Sequence, residues 1–180
     1  MLNQLLKQLN DYLKEIKQIE TIYGNFNIGK QLGQGGTSLV KEATFQEKTF
    51  AIKFLLENVA EHDSRAFKRF KQAHLNLLEL VESGWILPQY HMDTISLEEN
   101  IKLPFVIMPC AEGTLKDYLS GLQTKKFSTF KQIFDSLLDC LETIHSAEII
   151  HRDLKPENIF MYKERLVIGD FDIAKFVVVK

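Results

Sequence analysis

His151-Arg152-Asp153-Leu154-Lys155-Pro156-Glu157-Asn158 sets a carboxylate, a cation and a carboxamide within eight residues. Those groups suit phosphoryl transfer to a hydroxyl. An acid anion orients the hydroxyl and takes its proton, a cation meets the moving phosphoryl group, and an amide oxygen holds a divalent metal. Asp153, Lys155 and Asn158 are the candidates for the three roles. Seventeen residues past Asp153 comes Asp170-Phe171-Asp172, which places two further carboxylates around an aromatic residue.

Upstream, Gly33-Gln34-Gly35-Gly36-Thr37-Ser38-Leu39-Val40 sits between two strand-like runs. Glycines there let backbone N–H groups approach phosphate oxygens with no Cβ in the way. No Gly-Lys-Ser/Thr follows, so this is not a Walker loop. A strand and not a helix comes next, which argues against a dinucleotide fingerprint. Ala51-Ile52-Lys53 follows 20 residues beyond Gly33, a lysine inside an apolar strand.

Together these stretches resemble the protein kinase family. The octapeptide is similar to the kinase run His-Arg-Asp-Leu-x-x-x-Asn, the glycine segment to Gly-x-Gly-x-x-Gly-x-Val, Ala51-Ile52-Lys53 to Val-Ala-Ile-Lys, and Asp170-Phe171-Asp172 to Asp-Phe-Gly. The resemblance covers about Ile22 to Lys175. It implies an α+β, two-lobed fold with a nucleotide cleft between the lobes, a complete β-rich N-lobe and only the first part of the helical C-lobe. ATP would be held by Gly33, Gly35, Gly36, Val40, Ala51, Lys53, Met108 and Cys110, with Met108 as gatekeeper and the Cys110 backbone bonding adenine. Mg²⁺ would be held by Asn158 and Asp170. Asp153 would be the base and Lys155 would stabilise charge on the γ-phosphate. Lys155 at its place resembles serine/threonine-directed kinases, so the implied activity is transfer of the ATP γ-phosphoryl group to a protein hydroxyl.

The sequence departs from that pattern in several places. Ser38 replaces the third glycine. Asp172 replaces the glycine after Phe171, where Asp is expected to tolerate a left-handed backbone. The helix after Lys53 is expected to carry a glutamate that pairs with the lysine, and aligning Phe70, Leu77 and Leu80 puts Ala73 there. Glu79 falls about 240° around the helix from Ala73 and is a poor substitute. Only eight residues follow Asp172, where the family continues with an activation loop and substrate-binding helices. A large lobe that is only partly present is expected to expose apolar surface on the helix from Ser128 to Ile144. These departures support an alternative, a pseudokinase or a non-catalytic module that binds nucleotide or a partner.

Composition bounds the rest. The chain has 180 residues, 45% hydrophobic and 26% charged, with a formal net charge of −2. That charge argues against nucleic acid as a partner. The two cysteines, Cys110 and Cys140, have no metal-ligand spacing and read as reduced thiols of a cytoplasmic protein. No signal-peptide pattern is evident, and no apolar run approaches the ~20 residues of a membrane span.

The pattern predicts three domains: an amphipathic helix over 1–23, the ATP-binding lobe over 24–109, and the partial C-lobe over 110–180. Leu2, Leu5, Leu9, Tyr12, Ile16, Ile19 and Tyr23 alternate spacings of three and four. That stripe leaves two readings open, a helix docked on its own domain or one that pairs with a second copy or a partner. Further elements are strands around the glycine turn over 26–40, a strand over 48–55, a helix from Asp63 to Glu82 and a strand pair over Ile86–Asp93 and Leu103–Pro109. Thr114 with Asp117 reads as a capping box, and Ser128 as the cap of a helix through Ile144. Two short strands, Ile159–Tyr162 and Leu166–Ile168, flank a turn.

Overall fold

Residues 2–60, 64–123 and 126–177 are described by the computed structural model. The chain divides into two compact units, Met1–His74 with Gln89–Cys110, and Leu75–Pro88 with Ala111–Lys180.

The first unit opens with α1, Leu2–Ile16. Leu5, Leu9 and Leu13 recur every four residues and are buried to 7%, 0% and 4% exposure. Their partners are the apolar side chains of a sheet in the same unit, so this helix docks on its own domain. The predicted helix to Tyr23 is corrected, because α1 ends at Ile16. Lys17 adopts a left-handed φ of 55° and returns its N–H to the Leu13 carbonyl at 3.1 Å, which closes the helix as a left-handed cap does. β1 follows at Gln18–Thr21. Ile19 fits either pattern, because strand alternation buries it in the same core that the helical stripe would.

β2 (Gly24–Gln34), β3 (Ser38–Phe45) and β4 (Lys48–Leu55) follow. β3 runs five residues past the predicted limit at Val40, into a turn at Gln46 and Glu47 with φ of 48° and 63°. Two left-handed residues give the hairpin twist that flanking strands prefer, here without the usual Asn-Gly. After α2 (Arg65–Leu78) come β5 (His91–Glu98) and β6 (Ile101–Pro109). The sheet is antiparallel with order β1-β2-β3-β4-β6-β5.

The two faces of this sheet divide the labour. Phe26, Leu39, Ala43, Ile52, Phe54, Leu103, Phe105 and Ile107 point to one face and form the core with the leucines of α1. Alternation sends Val40, Ala51, Lys53, Val106 and Met108 to the other face.

Ser64 caps α2 by accepting the Phe67 N–H on Oγ at 3.1 Å. Asp63, the predicted helix start, lies outside the described residues. The helix stops at Leu78 and not at Glu82, and a 3-10 turn, Val81–Ser83, intervenes before Gly84 at φ 74°. Phe70 and Leu77 are buried as predicted, whereas Phe67 and Leu80 are only partly so. The predicted strand Ile86–Asp93 is also corrected. Ile86 bridges Ile168 in parallel, Pro88 has no N–H to continue a ladder, and β5 starts only at His91.

In the second unit β7 (Gly113–Thr114) leads to α3 (Leu115–Gly121) through a complete capping box: Thr114 accepts the Asp117 N–H, and Asp117 accepts the Thr114 N–H. α4 spans Phe127–Ser146. Its N-cap position is Lys126, so Ser128 lies inside the first turn and does not cap. Cys140 and Ile144 are buried, and Ile133 and Leu137 pack toward Leu115, Ile159 and Leu166. The far side of α4 is apolar and exposed, with Phe127 at 84% and Phe134 at 63%. β8 (Ile149–Ile150), β9 (Ile159–Tyr162), β10 (Arg165–Ile168) and β11 (Lys175–Phe176) complete the described elements. They make a β10-β9-β7 sheet and a β11-β8 pair.

Candidate functional site

Two sets of side chains carry the predicted chemistry, one in each unit.

In the first unit the set lies on the sheet face that α1 leaves uncovered. Gly33, Val40, Lys53 and Val106 stand in one cross-strand row, through the pairs Gly33↔Val40, Val40↔Lys53 and Lys53↔Val106. The Ala51↔Met108 pair stands two residues away, on the same face. Lys53 is 6% exposed. Between β2 and β3 the Gly35 N–H bonds the Ser38 carbonyl at 2.9 Å, which makes a tight turn. A Cβ at Gly33 or Gly36 would meet nothing within 4 Å. The turn therefore opens onto free space, as a phosphate cradle requires, and nucleotide phosphates fit that arrangement. Cys110 follows β6 and is partly buried. Burial, and then the charge of Glu42, push its thiol pKa up.

α2 offers no carboxylate. Its 14 residues contain no Asp or Glu in any register. Ala73 is 3% exposed, and its neighbour His74 turns its Nδ1 to the Gln89 Oε1 at 3.1 Å. Burial lowers the pKa of His74, and an imidazole, neutral or cationic, supplies no anion to pair with a lysine.

In the second unit the octapeptide is held from several sides. Asp153 Oδ2 accepts from Lys155 Nζ at 2.6 Å and from Asn158 Nδ2 at 2.9 Å. Asn158 Nδ2 also donates to the Asp153 carbonyl at 2.9 Å. Lys155 first, and then Asn158, hold the Asp153 carboxyl below its ordinary pKa, while Asp153 raises that of Lys155. Because Asn158 spends its Nδ2 on Asp153, its Oδ1 is the atom left for a cation. Asp170 is partly buried and adopts a left-handed φ of 61°. Asp172, expected to tolerate a left-handed backbone, has no positive φ: the left-handed residue of this turn is the first Asp and not the one at the glycine position. Among the described residues no three His, Cys, Asp or Glu side chains form a metal cage. An oxygen pair such as Asn158 and Asp170 suits an ion that completes its shell with water and phosphate, as Mg²⁺ does.

Two residues without an assigned role tie this set together. His151, 3% exposed, donates Nε2–H to the Gly169 carbonyl at 2.9 Å and accepts the Asp153 N–H on Nδ1 at 3.3 Å. Gly169 also gives its own N–H to the Asn158 carbonyl at 2.9 Å. A Cβ on Gly169 would come within 2.8 Å of the Phe160 ring. The available signal was positional: His151 opens the octapeptide and Gly169 precedes Asp170. Phe171 is 2% exposed and packs on the His151 ring at 4.7 Å between centroids. Arg152, at φ 66°, donates from Nε to the Ile173 carbonyl at 2.6 Å, and its Nη2 reaches the same oxygen.

The family model for the protein kinase domain matches residues 26–180. The dual specificity protein kinase Ttk of Danio rerio is 32% identical over 158 residues, which covers 86% of this chain and 15% of that protein. The interferon-induced, double-stranded RNA-activated protein kinase of Mus musculus is 31% identical over 81% of the chain and 30% of its own length. The probable serine/threonine-protein kinase PknB of Bifidobacterium longum is 27% identical over 84% of the chain and 23% of its own length. The chain thus spans well under two thirds of the curated relatives it matches.

Proposed function

Because the chain belongs to the protein kinase domain family, we propose that it transfers the γ-phosphoryl group of ATP to a serine or threonine hydroxyl of a protein substrate. The observation that carries this reading is the pair of bonds on Asp153 Oδ2, from Lys155 at 2.6 Å and Asn158 at 2.9 Å. They keep the carboxylate ionised and leave its other oxygen, Oδ1, to accept the hydroxyl proton.

Mg·ATP, when bound, supplies the phosphoryl group and spreads its negative charge over the metal. Gly33, Gly35 and Gly36 give backbone N–H groups to phosphate oxygens. Val40, Ala51 and Met108 provide an apolar surface for the base, and the Cys110 backbone provides polar groups for its edge. Lys53 places a cation on the phosphates. Asn158 and Asp170 hold the metal. Lys155 turns from Asp153 toward the charge that develops on the transferred group.

The experiment is transfer of labelled γ-phosphate to a generic serine/threonine protein substrate, with Asp153→Ala alongside. Loss of label in the variant supports the assignment, and full activity in it would remove Asp153 from the role.

A second reading, a module that binds nucleotide or a partner without transfer, is favoured by the absence of any carboxylate on α2 and by Asp172. Nucleotide binding by the wild-type chain with no label transferred would select it. Among the described residues no helix is long and apolar enough to cross a membrane, and a cytoplasmic location is part of the proposal.

A further inference from the structure

The charge of α2 is one-sided. The helix carries Arg65, Lys68, Arg69 and Lys71 and no acid. All four side chains are exposed, and among the described residues none makes an ion pair with a carboxylate. At about 100° per residue they spread over about 160° of the helix, centred opposite the buried Phe70, with Arg69 at the edge of that arc beside Ala73. A helix usually interleaves acids with bases at three and four residues, where opposite charges support each other. Here the cations repel one another within the helix, and nothing in α2 offsets that repulsion. An anionic partner would.

The size of the face limits the partner. From Arg65 to Lys71 is about 9 Å along the axis. Acids at i and i+2 of an extended peptide stand about 7 Å apart, so a short segment with alternating carboxylates spans the patch. A lipid surface or a nucleic acid presents charge over a far larger area and would also face the rest of the chain, where 24 acids against 22 bases leave a net negative balance. We propose that the exposed side of α2 docks an acidic, extended segment of a partner protein. The inference stands apart from the transfer reaction, since none of the four cations belongs to either set of site residues.

The probe is a fluorescein-labelled peptide of alternating Glu and Ser, followed by anisotropy with the full chain. Wild type binds it, and binding weakens as salt rises. The combined variant Lys68→Glu, Arg69→Glu, Lys71→Glu loses roughly tenfold or more in affinity, the scale expected when several exposed charge pairs are reversed. The control Lys7→Glu, Lys14→Glu, Lys48→Glu makes the same change in net charge on exposed residues elsewhere in the unit and keeps wild-type affinity. If circular dichroism shows that the α2 variant has lost helix, the Gln triple at the same positions replaces it, with a loss of the same sign. No binding by wild type, or equal loss in both triples, would overturn the proposal. So would tighter binding, abolished by the α2 substitutions, to phosphatidylserine-containing vesicles or a single-stranded oligonucleotide, because the face would then belong to another class of partner.

Discussion

His151 donates its Nε2–H to the carbonyl of Gly169 at 2.9 Å, and this one bond joins the segment that carries Asp153 to the residue before Asp170. Both groups are buried away from competing water. Replacing His151 with Phe keeps a ring against Phe171 but leaves the carbonyl unsatisfied, at about 1–3 kcal/mol. Denaturant unfolding should show that loss. An unchanged midpoint would mean the bond does not hold the two segments together.

Gly169 is constrained by space. A Cβ there would lie 2.8 Å from Phe160 Cε2 and 3.3 Å from Leu87 Cβ. Gly169→Ala is expected to cost about 1–3 kcal/mol through overpacking. Adding Phe160→Leu removes the ring and should recover part of the loss. If the double variant is no more stable than the single, the clash is not the cause.

The Asp153 carboxyl is held below its ordinary pKa by Lys155 and then Asn158. A depressed folded-state pKa adds stability above the unfolded value, near about 3.9, and that contribution is lost as pH falls through the folded value. Lys155→Met removes the larger cause, so the midpoint of Asp153 should move up. Carbon-13 NMR of the carboxyl carbon follows it directly, and a midpoint that stays put would assign the depression elsewhere.

Leu9 and Leu2 test the docking of α1. Leu9 is fully buried and Leu2 is 39% exposed. Leu9→Ala should cost about 2–5 kcal/mol, whereas Leu2→Ala should stay within about 0.5 kcal/mol. Equal, small effects from both would mean that α1 does not pack on the sheet in solution.

Cys140 is fully buried, and burial pushes its thiol pKa to about 12. Since only the thiolate reacts, alkylation at mildly alkaline pH should leave Cys140 unlabelled until the chain is unfolded. The half-buried Cys110 is also raised, by burial, and should label slowly but ahead of Cys140. Mass spectrometry of the labelled peptides reads the order.

Much of this protein was legible locally. The Thr114–Asp117 capping box and the strand carrying Lys53 depend on neighbours in sequence, and they stand where the pattern put them. The lack of a carboxylate on α2 was visible as Ala73, and the helix bounds extend it to every register. The end of α1 is not legible in the sequence, because Ile19 satisfies both a helical stripe and a strand alternation. The pairing of Ile86 is not legible either, because its partner is Ile168, far along the chain, and apolar content alone does not say which partner a strand takes. No local pattern marked Gln46 and Glu47 as a left-handed turn either, since neither is Gly or Asn.

By itself the sequence determined which chemical groups the protein has and in what order, because residue type and short spacing fix charge, donor atoms and local turns. It thereby determined the family and the α+β class. Tertiary structure alone decided which face of the six-stranded sheet α1 covers, so that Lys53, Val40 and Met108 share the other. It also decided that His151 and Gly169 join the Asp153 and Asp170 segments, and that Asp170 takes the left-handed backbone. Those outcomes depend on contacts between residues distant in the chain, where burial and steric fit choose among arrangements that the local sequence leaves equally open.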